Sequence, residues 1–173
     1  MCDDRSVNVE VDEAGPLDWE CLSALFELYT YDFSEVVDID VGDDGRFRTP
    51  PLDGYFTDPS WHAFLVRSDG KLAGFALVQE RSRLTGDESV RDMTEFFVLR
   101  KYRRQGVGAR VATWLFDRFR GRWEVREKPD NHAATAFWRR VIATYTAGRF
   151  EEEQLDSKDW QGPVQRFDSA DRA

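Results

Sequence analysis

The sequence predicts a mixed α/β fold, and three observations carry that expectation. Helix-period and strand-like apolar segments alternate along the chain, and an Asp-Gly pair separates two apolar runs. An apolar strand also runs straight into a glycine-bearing bend that opens an amphipathic helix. At 173 residues, 41% hydrophobic and 14% aromatic, the chain is long enough to bury a core and fits one domain spanning residues 1–173.

Taken in order, Pro16 suits a first helical turn. Leu17, Leu22, Leu25, Phe26 and Tyr29 then recur at near-helical spacing, which predicts a helix over 16–30. The stretch from Tyr31 to Ser60 is rich in Asp, Gly and Pro and too long for a passive connector, so a short helix or a functional loop is expected within it. "WHAFLVR" and "KLAGFALVQER" flank Ser68-Asp69-Gly70 and predict a β-hairpin. Residues 92–99, "DMTEFFVL", read as a strand, and 106–119 as a helix stopped by Gly121. "RWEVRE" is a further strand ended by Pro129. A helix led by Asn131 carries Ala134, Phe137, Trp138 and Val141, and "YTAGRFEEE" and "GPVQRFDS" read as two more strands.

The net charge of −9 argues against a general nucleic-acid binder, which presents a basic face to phosphates. Cys2 and Cys21 are the only cysteines, and His62 and His132 stand far apart, so neither a disulfide framework nor a metal site is expected. No apolar run approaches a membrane span and the N-terminus lacks a leader-like apolar core. A cytoplasmic protein with no metal, nucleic-acid or membrane partner is the expectation.

Against that acidic background, "YRRQGVGAR" at 102–110 is anomalous: from Arg100 to Arg110 there are five cations and no acid. The first-turn N–H groups of a helix have no partners within it, and the helix dipole is positive there, so the bend is suited to an anion. Gly106 and Gly108 remove the β-carbons that would keep a bulky anion from the backbone. A P-loop would need Gly-Lys-Ser/Thr, whereas Ala109 and Arg110 follow Gly108. A dinucleotide fingerprint would need a third glycine where Val111 stands. The spacing that fits is Arg103-x-x-Gly106-x-Gly108.

Here the sequence resembles the GNAT superfamily of N-acetyltransferases, whose Q/R-x-x-G-x-G/A motif binds the pyrophosphate of acetyl-CoA. "EFFVLRKY" resembles the family's fourth strand and Trp123-Glu124-Val125-Arg126 its fifth. Asn131, Ala134 and Phe137-Trp138 fall at the N-x-x-A-x-x-F-Y spacing of the next helix. The F-W-R form of that helix is similar to that of a group of bacterial and archaeal predicted acetyltransferases. The resemblance covers most of the chain, although residues 31–60 carry no family signature. It implies a mostly antiparallel central sheet of about six to seven strands flanked by helices, with acetyl-CoA as acyl donor. It also implies that backbone groups of Phe97, Val98 and Leu99 pair with the pantetheine arm. The bend, Arg103, Arg104, Gln105, Gly106, Val107, Gly108, Ala109 and Arg110, would then wrap the pyrophosphate. Asn131, with Phe137 and Trp138 on the same helix, completes the cofactor set. For the side chains of Phe96, Phe97 and Val98, plain core packing is the simpler reading.

Transfer to an amine requires a proton acceptor, because a free lysine-type amine has a pKa near about 10.4. Glu124 is the first candidate by alignment, Glu95 the second and Asp92 the third, each with an ion-pair role as the alternative. Trp138 stands where many relatives place a tyrosine acid, and an indole N–H cannot serve as one at neutral pH. Tyr145, at the start of the next expected strand, is the substitute, with solvent as the other source of the proton. Six acids and no cation from Asp32 to Asp44 would draw a cationic amine, a polyamine, aminoglycoside or lysine side chain, unless they are simply solvated surface. Trp61 and His62 are further candidates to line the cleft. The expected activity is transfer of acetyl from acetyl-CoA to a primary amine on a small molecule or peptide. The other reading is a non-catalytic acyl-CoA-binding domain, and edge strands near the C-terminus allow a homodimer.

Overall fold

The computed structural model describes residues 7–170; Cys2 lies outside them. Seven strands form one sheet: β1 (Val9–Glu13), β2 (Trp61–Ser68), β3 (Lys71–Gln79), β4 (Val90–Val98), β5 (Arg122–Arg126), β6 (Glu151–Asp156) and β7 (Gln161–Asp168). Their order across the sheet is β1-β2-β3-β4-β5-β7-β6. Every neighbouring pair is antiparallel except β4 and β5, which run parallel.

Four helices cover the two faces. Helices α1 (Trp19–Phe33) and α2 (Gly54–Thr57) lie on one side, where Leu22, Leu25, Phe26 and Tyr55 pack with Phe75, Leu77 and Phe97. On the other side lie α3 (Val107–Arg118) and α4 (His132–Thr146). Their Val111, Leu115, Phe116, Trp138 and Ile142 pack with Phe64, Val78, Met93 and Trp123. The 3.6-residue spacing of those side chains is what makes each helix bury one stripe.

Two expectations are corrected, and one strand was not foreseen. Residues Val9–Glu13, to which the sequence reading assigned no element, form an edge strand, and the Val7-Val9-Val11 alternation is its signature. Leu17 does not start the helical stripe: Pro16–Asp18 is a 3₁₀ turn, and Leu17 is fully exposed. Tyr145 is in the last turn of α4 rather than at a strand start, because the Trp138, Val141, Ile142, Tyr145 spacing prolongs the helix. The helix ends at Ala147 and Gly148, both with left-handed backbone (φ 52° and 81°).

One irregularity sets the geometry of the sheet where it opens between β4 and β5. Opposite the single step from Leu77 to Val78 on β3, β4 takes two, from Glu95 to Met93, so Thr94 is an extra residue in the ladder. Such a bulge bends its strand and reverses the facing of the residues beyond it. Accordingly Phe97 packs against α1 while Met93 packs with the α3–α4 layer. The pairing of β4 with β5 stops at Met93 and Val125, although β4 continues to Val98.

Candidate active site

The unpaired length of β4 borders a cleft with two compartments. One, of about 370 Å³, lies between α1, the split of β4 from β5, and the start of α4. It is lined by Tyr29, Glu95, Arg83, Arg126, Glu127, Lys128 and Trp160, among others. The other, of about 470 Å³, runs along Phe96–Val98 to Arg104 and Gly108. Tyr29, Phe33, Phe96, Asn131, Ala134 and Trp138 line both, so the two are continuous.

The main chain of β4 is divided between the sheet and the cleft. The Leu99 N–H donates to Ala73 O at 2.8 Å. The Phe97 carbonyl points at β3, since a β-carbon on Gly74 would stand 2.0 Å from its oxygen. Alternation along an antiparallel strand then leaves Phe96 and Val98 to present their backbone groups at the open edge. Of the three residues expected to do so, only Val98 is in phase, and Phe96 replaces Phe97 and Leu99.

At the bend, Gly106 is the N-cap of α3 with φ 81°, a left-handed conformation that favours glycine, and Arg104 is left-handed too, at 62°. The helix's first backbone bond runs from the Arg110 N–H to Gly106 O at 3.1 Å, so the N–H groups of Val107, Gly108 and Ala109 precede it. Gly108 abuts α4, where an added β-carbon would lie 3.1 Å from the Phe137 ring. The cations divide into fixed and available. Arg103 donates to Val98 O at 2.7 Å and to Asp32 at 2.5 Å, and Arg100 donates to Asp32 and Glu35 at 2.6 and 2.9 Å. Arg110 donates to Val7 O, and Gln105 to Lys101 O at 2.7 Å. Arg104 lines the cleft with no ion-pair partner among the described residues. The Asn131 side-chain oxygen caps α4 by accepting from the Ala134 N–H at 3.1 Å. Trp138, 5% exposed, is wedged edge-on against Phe96 and Phe137.

The three carboxylates proposed as base have different surroundings. Glu124, 2% exposed, accepts from Ser82 Oγ at 2.9 Å and Arg166 at 3.1 Å, and it borders a different hollow beside β7. Both its oxygens are occupied by structure. Asp92 is likewise committed, to Arg126 at 2.9 Å and the Arg83 N–H at 3.2 Å. Glu95 lines the cleft and accepts one hydrogen bond, from the Tyr29 hydroxyl at 2.6 Å. Burial pushes its pKa above the usual glutamate value, more than Tyr29, Arg83 and Arg126 pull it down. Tyr29 is raised well above its own ordinary value by burial and by the Glu95 charge. Tyr145, by contrast, donates to Asp117 at 2.7 Å in the α3–α4 layer and does not line the cleft.

None of the six acids of the stretch 32–44 lines the smaller compartment. Asp32 and Glu35 line the other one and are paired with arginine, while residues 31–50 lend the smaller compartment Ile39, Arg48 and Pro50. Trp61 packs on Tyr55, and His62 is held between Glu13 and Glu80 at 3.1 and 3.0 Å, so neither borders the cleft.

A strand edge held open, a glycine bend at its end and a helix N-terminus facing the gap are the parts a phosphate-bearing thioester would need. The model of the acetyltransferase (GNAT) family matches residues 22–142, most of the chain. The chain belongs to the GNAT family of acetyltransferases. No curated protein matches. Solved structures with the GNAT fold include an acetyltransferase from Thermus thermophilus (15% identity, 94% of this chain and 98% of that one, TM-score 0.64). An aminoglycoside acetyltransferase from an uncultured soil metagenomic sample, in complex with sisomicin, matches at 18% identity over 86% and 93%, TM-score 0.61. The ribosomal-protein-S18-alanine N-acetyltransferase of Escherichia coli matches at 16% over 92% and 91%, TM-score 0.53. At these identities the likeness is one of fold.

Several residues of this GNAT cleft carry no motif in the sequence: Tyr29, Arg48, Arg83, Glu127 and Trp160 reach it from separate elements. Only Tyr29 left a signal, as a polar-tipped aromatic on an otherwise apolar stripe. Among the described residues no cluster of His, Cys, Asp or Glu is placed to hold a metal, and no helix is long and apolar enough to cross a membrane.

Proposed function

We propose that this GNAT chain is a cytoplasmic enzyme that moves the acetyl group of acetyl-CoA onto a primary amine, with Glu95 taking the amine's proton. One observation carries the reading: on a single strand, β4, an open main-chain edge and a cleft-facing carboxylate stand side by side. Acetyl-CoA supplies the acyl group already activated as a thioester. The Val107–Ala109 N–H groups and Arg104 would hold its pyrophosphate, and the Phe96 and Val98 main chain its arm. Arg103 contributes by tying the bend to α1 through Asp32.

Glu95 suits the proton's removal for two reasons. Its raised pKa narrows the gap to an amine, and the Tyr29 hydroxyl fixes one oxygen, leaving the other to accept. No tyrosine of α4 delivers a proton to the cleft, since Trp138 cannot and Tyr145 faces Asp117, which leaves protonation on the thiol side to solvent.

Glu95→Gln should lower kcat for thiol release by about 100-fold or more while acetyl-CoA affinity is unchanged. The acid limb of the wild-type pH profile should lie above the usual glutamate range and vanish in the variant. Unaltered turnover in Glu95→Gln would remove Glu95 as base. Acetyl-CoA binding without thiol release from any amine would favour the non-catalytic acyl-CoA-binding role.

A further inference from the structure

The charge of the smaller compartment bears on which amines fit there, on the reading that this cleft transfers acetyl to an amine. The chain carries a net charge of −9, yet four cations line this compartment: Arg48, Arg83, Arg126 and Lys128. Only Arg126 has a carboxylate within ion-pair distance, the buried Asp92. Arg48, Arg83 and Lys128 have none among the described residues, so their charge is left to the cleft. Lys128 is held against the face of Trp160, 4.6 Å from the ring centroid, with Arg126 at 4.7 Å from the same ring.

The lining acids offset them only in part. Glu95, as the base, brings one negative charge, and Glu127 has both oxygens buried without a partner, where burial pushes its pKa up to about 8, so at neutral pH it is mostly uncharged. A second cationic group on the acceptor, as in a polyamine or aminoglycoside, would meet like charge here. An anion would meet unpaired guanidinium groups, whose planar fork matches carboxylate and phosphate oxygens. Arg83 also acts electrostatically on Glu95, which puts the cation near the base and hence the anion near the reacting amine.

We propose that the acceptor is an amine carrying its own carboxylate or phosphate a few bonds away, and that Arg48 and Arg83, with Lys128, hold that group. This reverses the expectation drawn from the acidic stretch 32–44, whose Asp32 and Glu35 are consumed by Arg100 and Arg103 outside this compartment.

The test uses matched amines, each acid beside its neutral counterpart: aspartate and glutamate beside their diamides, phosphoethanolamine beside ethanolamine, with spermidine and sisomicin as cationic members. Turnover is read as thiol release from acetyl-CoA, and the carboxylate and phosphate pairs separate the two anion types. The acid members should be preferred at least tenfold in kcat/KM. Arg48→Gln/Arg83→Gln should collapse that preference through KM, leaving acetyl-CoA affinity and thermal stability unchanged, because both side chains are exposed and unpaired. Equal or better use of neutral or cationic members, or a preference that survives the double substitution, overturns the proposal. If no amine is turned over, it is the transfer reading that fails. The anion site is then decided by titrating inorganic phosphate into protein saturated with coenzyme A: binding weakened tenfold in the double variant upholds it, and no binding, or binding indifferent to the substitutions, ends it.

Discussion

Glu127 is the side chain least at ease with its surroundings. It is 4% exposed, neither carboxyl oxygen has a hydrogen-bond partner, and Gln165 stands beside it with its own Oε1 unpartnered. Burial, then the Glu152 charge on β6, lift its pKa to about 8, while Arg139 on α4 and Gln165 on β7 pull it down. The unfolded chain therefore releases this proton first. Between roughly pH 4.5 and 8 the folded state holds more protons, and stability falls as pH rises through that window. Glu127→Gln removes the penalty and offers an amide N–H to Gln165. It should raise stability by up to about 3 kcal/mol at pH 7 and flatten the pH dependence of Tm. An unchanged Tm between pH 5 and 8 in the wild type would count against this account. Such a residue was not legible in "RWEVRE", where it reads as a polar strand end. Its burial is produced by α4 and β7 closing over it. The same holds for Glu124 and Glu95: the family alignment favours the first, but only the packed structure shows Ser82 and Arg166 occupying it while Glu95 stays available.

At the level of elements, the strand β4 organises the cleft. Its pairing with β3 is close enough that Gly74 has no room for a side chain, an added β-carbon lying 2.0 Å from Phe97 O. Gly74→Ala should destabilise the fold by about 3 kcal/mol, and any protein that does fold should bind acetyl-CoA less tightly, because β4 must shift its open edge to relieve the contact. Denaturant midpoints and cofactor titration check the two halves separately. The strand itself, the hairpin, the basic bend and the Asn-led helix were all readable, since periodicity, Asp-Gly and glycine carry local signals. The bulge at Thr94 was not, because nothing in "RDMTEFF" marks which residue the facing strand will skip. That single extra residue decides which backbone groups face the cleft. It is why Phe96 and Val98, rather than Phe97 and Leu99, present theirs. The length of α4 was misjudged for a related reason: "YTAG" has strand-like residues, but tertiary packing of Tyr145 on Phe116 keeps it helical.

Over the whole molecule the distribution of charge matters more than its sum. The basic bend is partly neutralised by Asp32 and Glu35 at the end of α1. Four cations with no ion-pair partner among the described residues line the cleft: Arg104 near the helix end, and Arg48, Arg83 and Lys128 at the acceptor side. Composition could announce the bend because its five cations fall between Arg100 and Arg110 with no acid among them. The second group was hidden, its members being scattered from residue 48 to residue 128 and joined only by the fold. The central claim, that the bend and the open edge of β4 hold acetyl-CoA, is tested most directly by calorimetric titration of the chain and of Gly106→Asp. Asp tolerates left-handed backbone better than most residues, so the variant should fold, and its carboxylate would oppose a pyrophosphate. The account predicts micromolar binding to the native chain that is lost in a folded variant; no binding to the native chain, or equal binding to both, would contradict it.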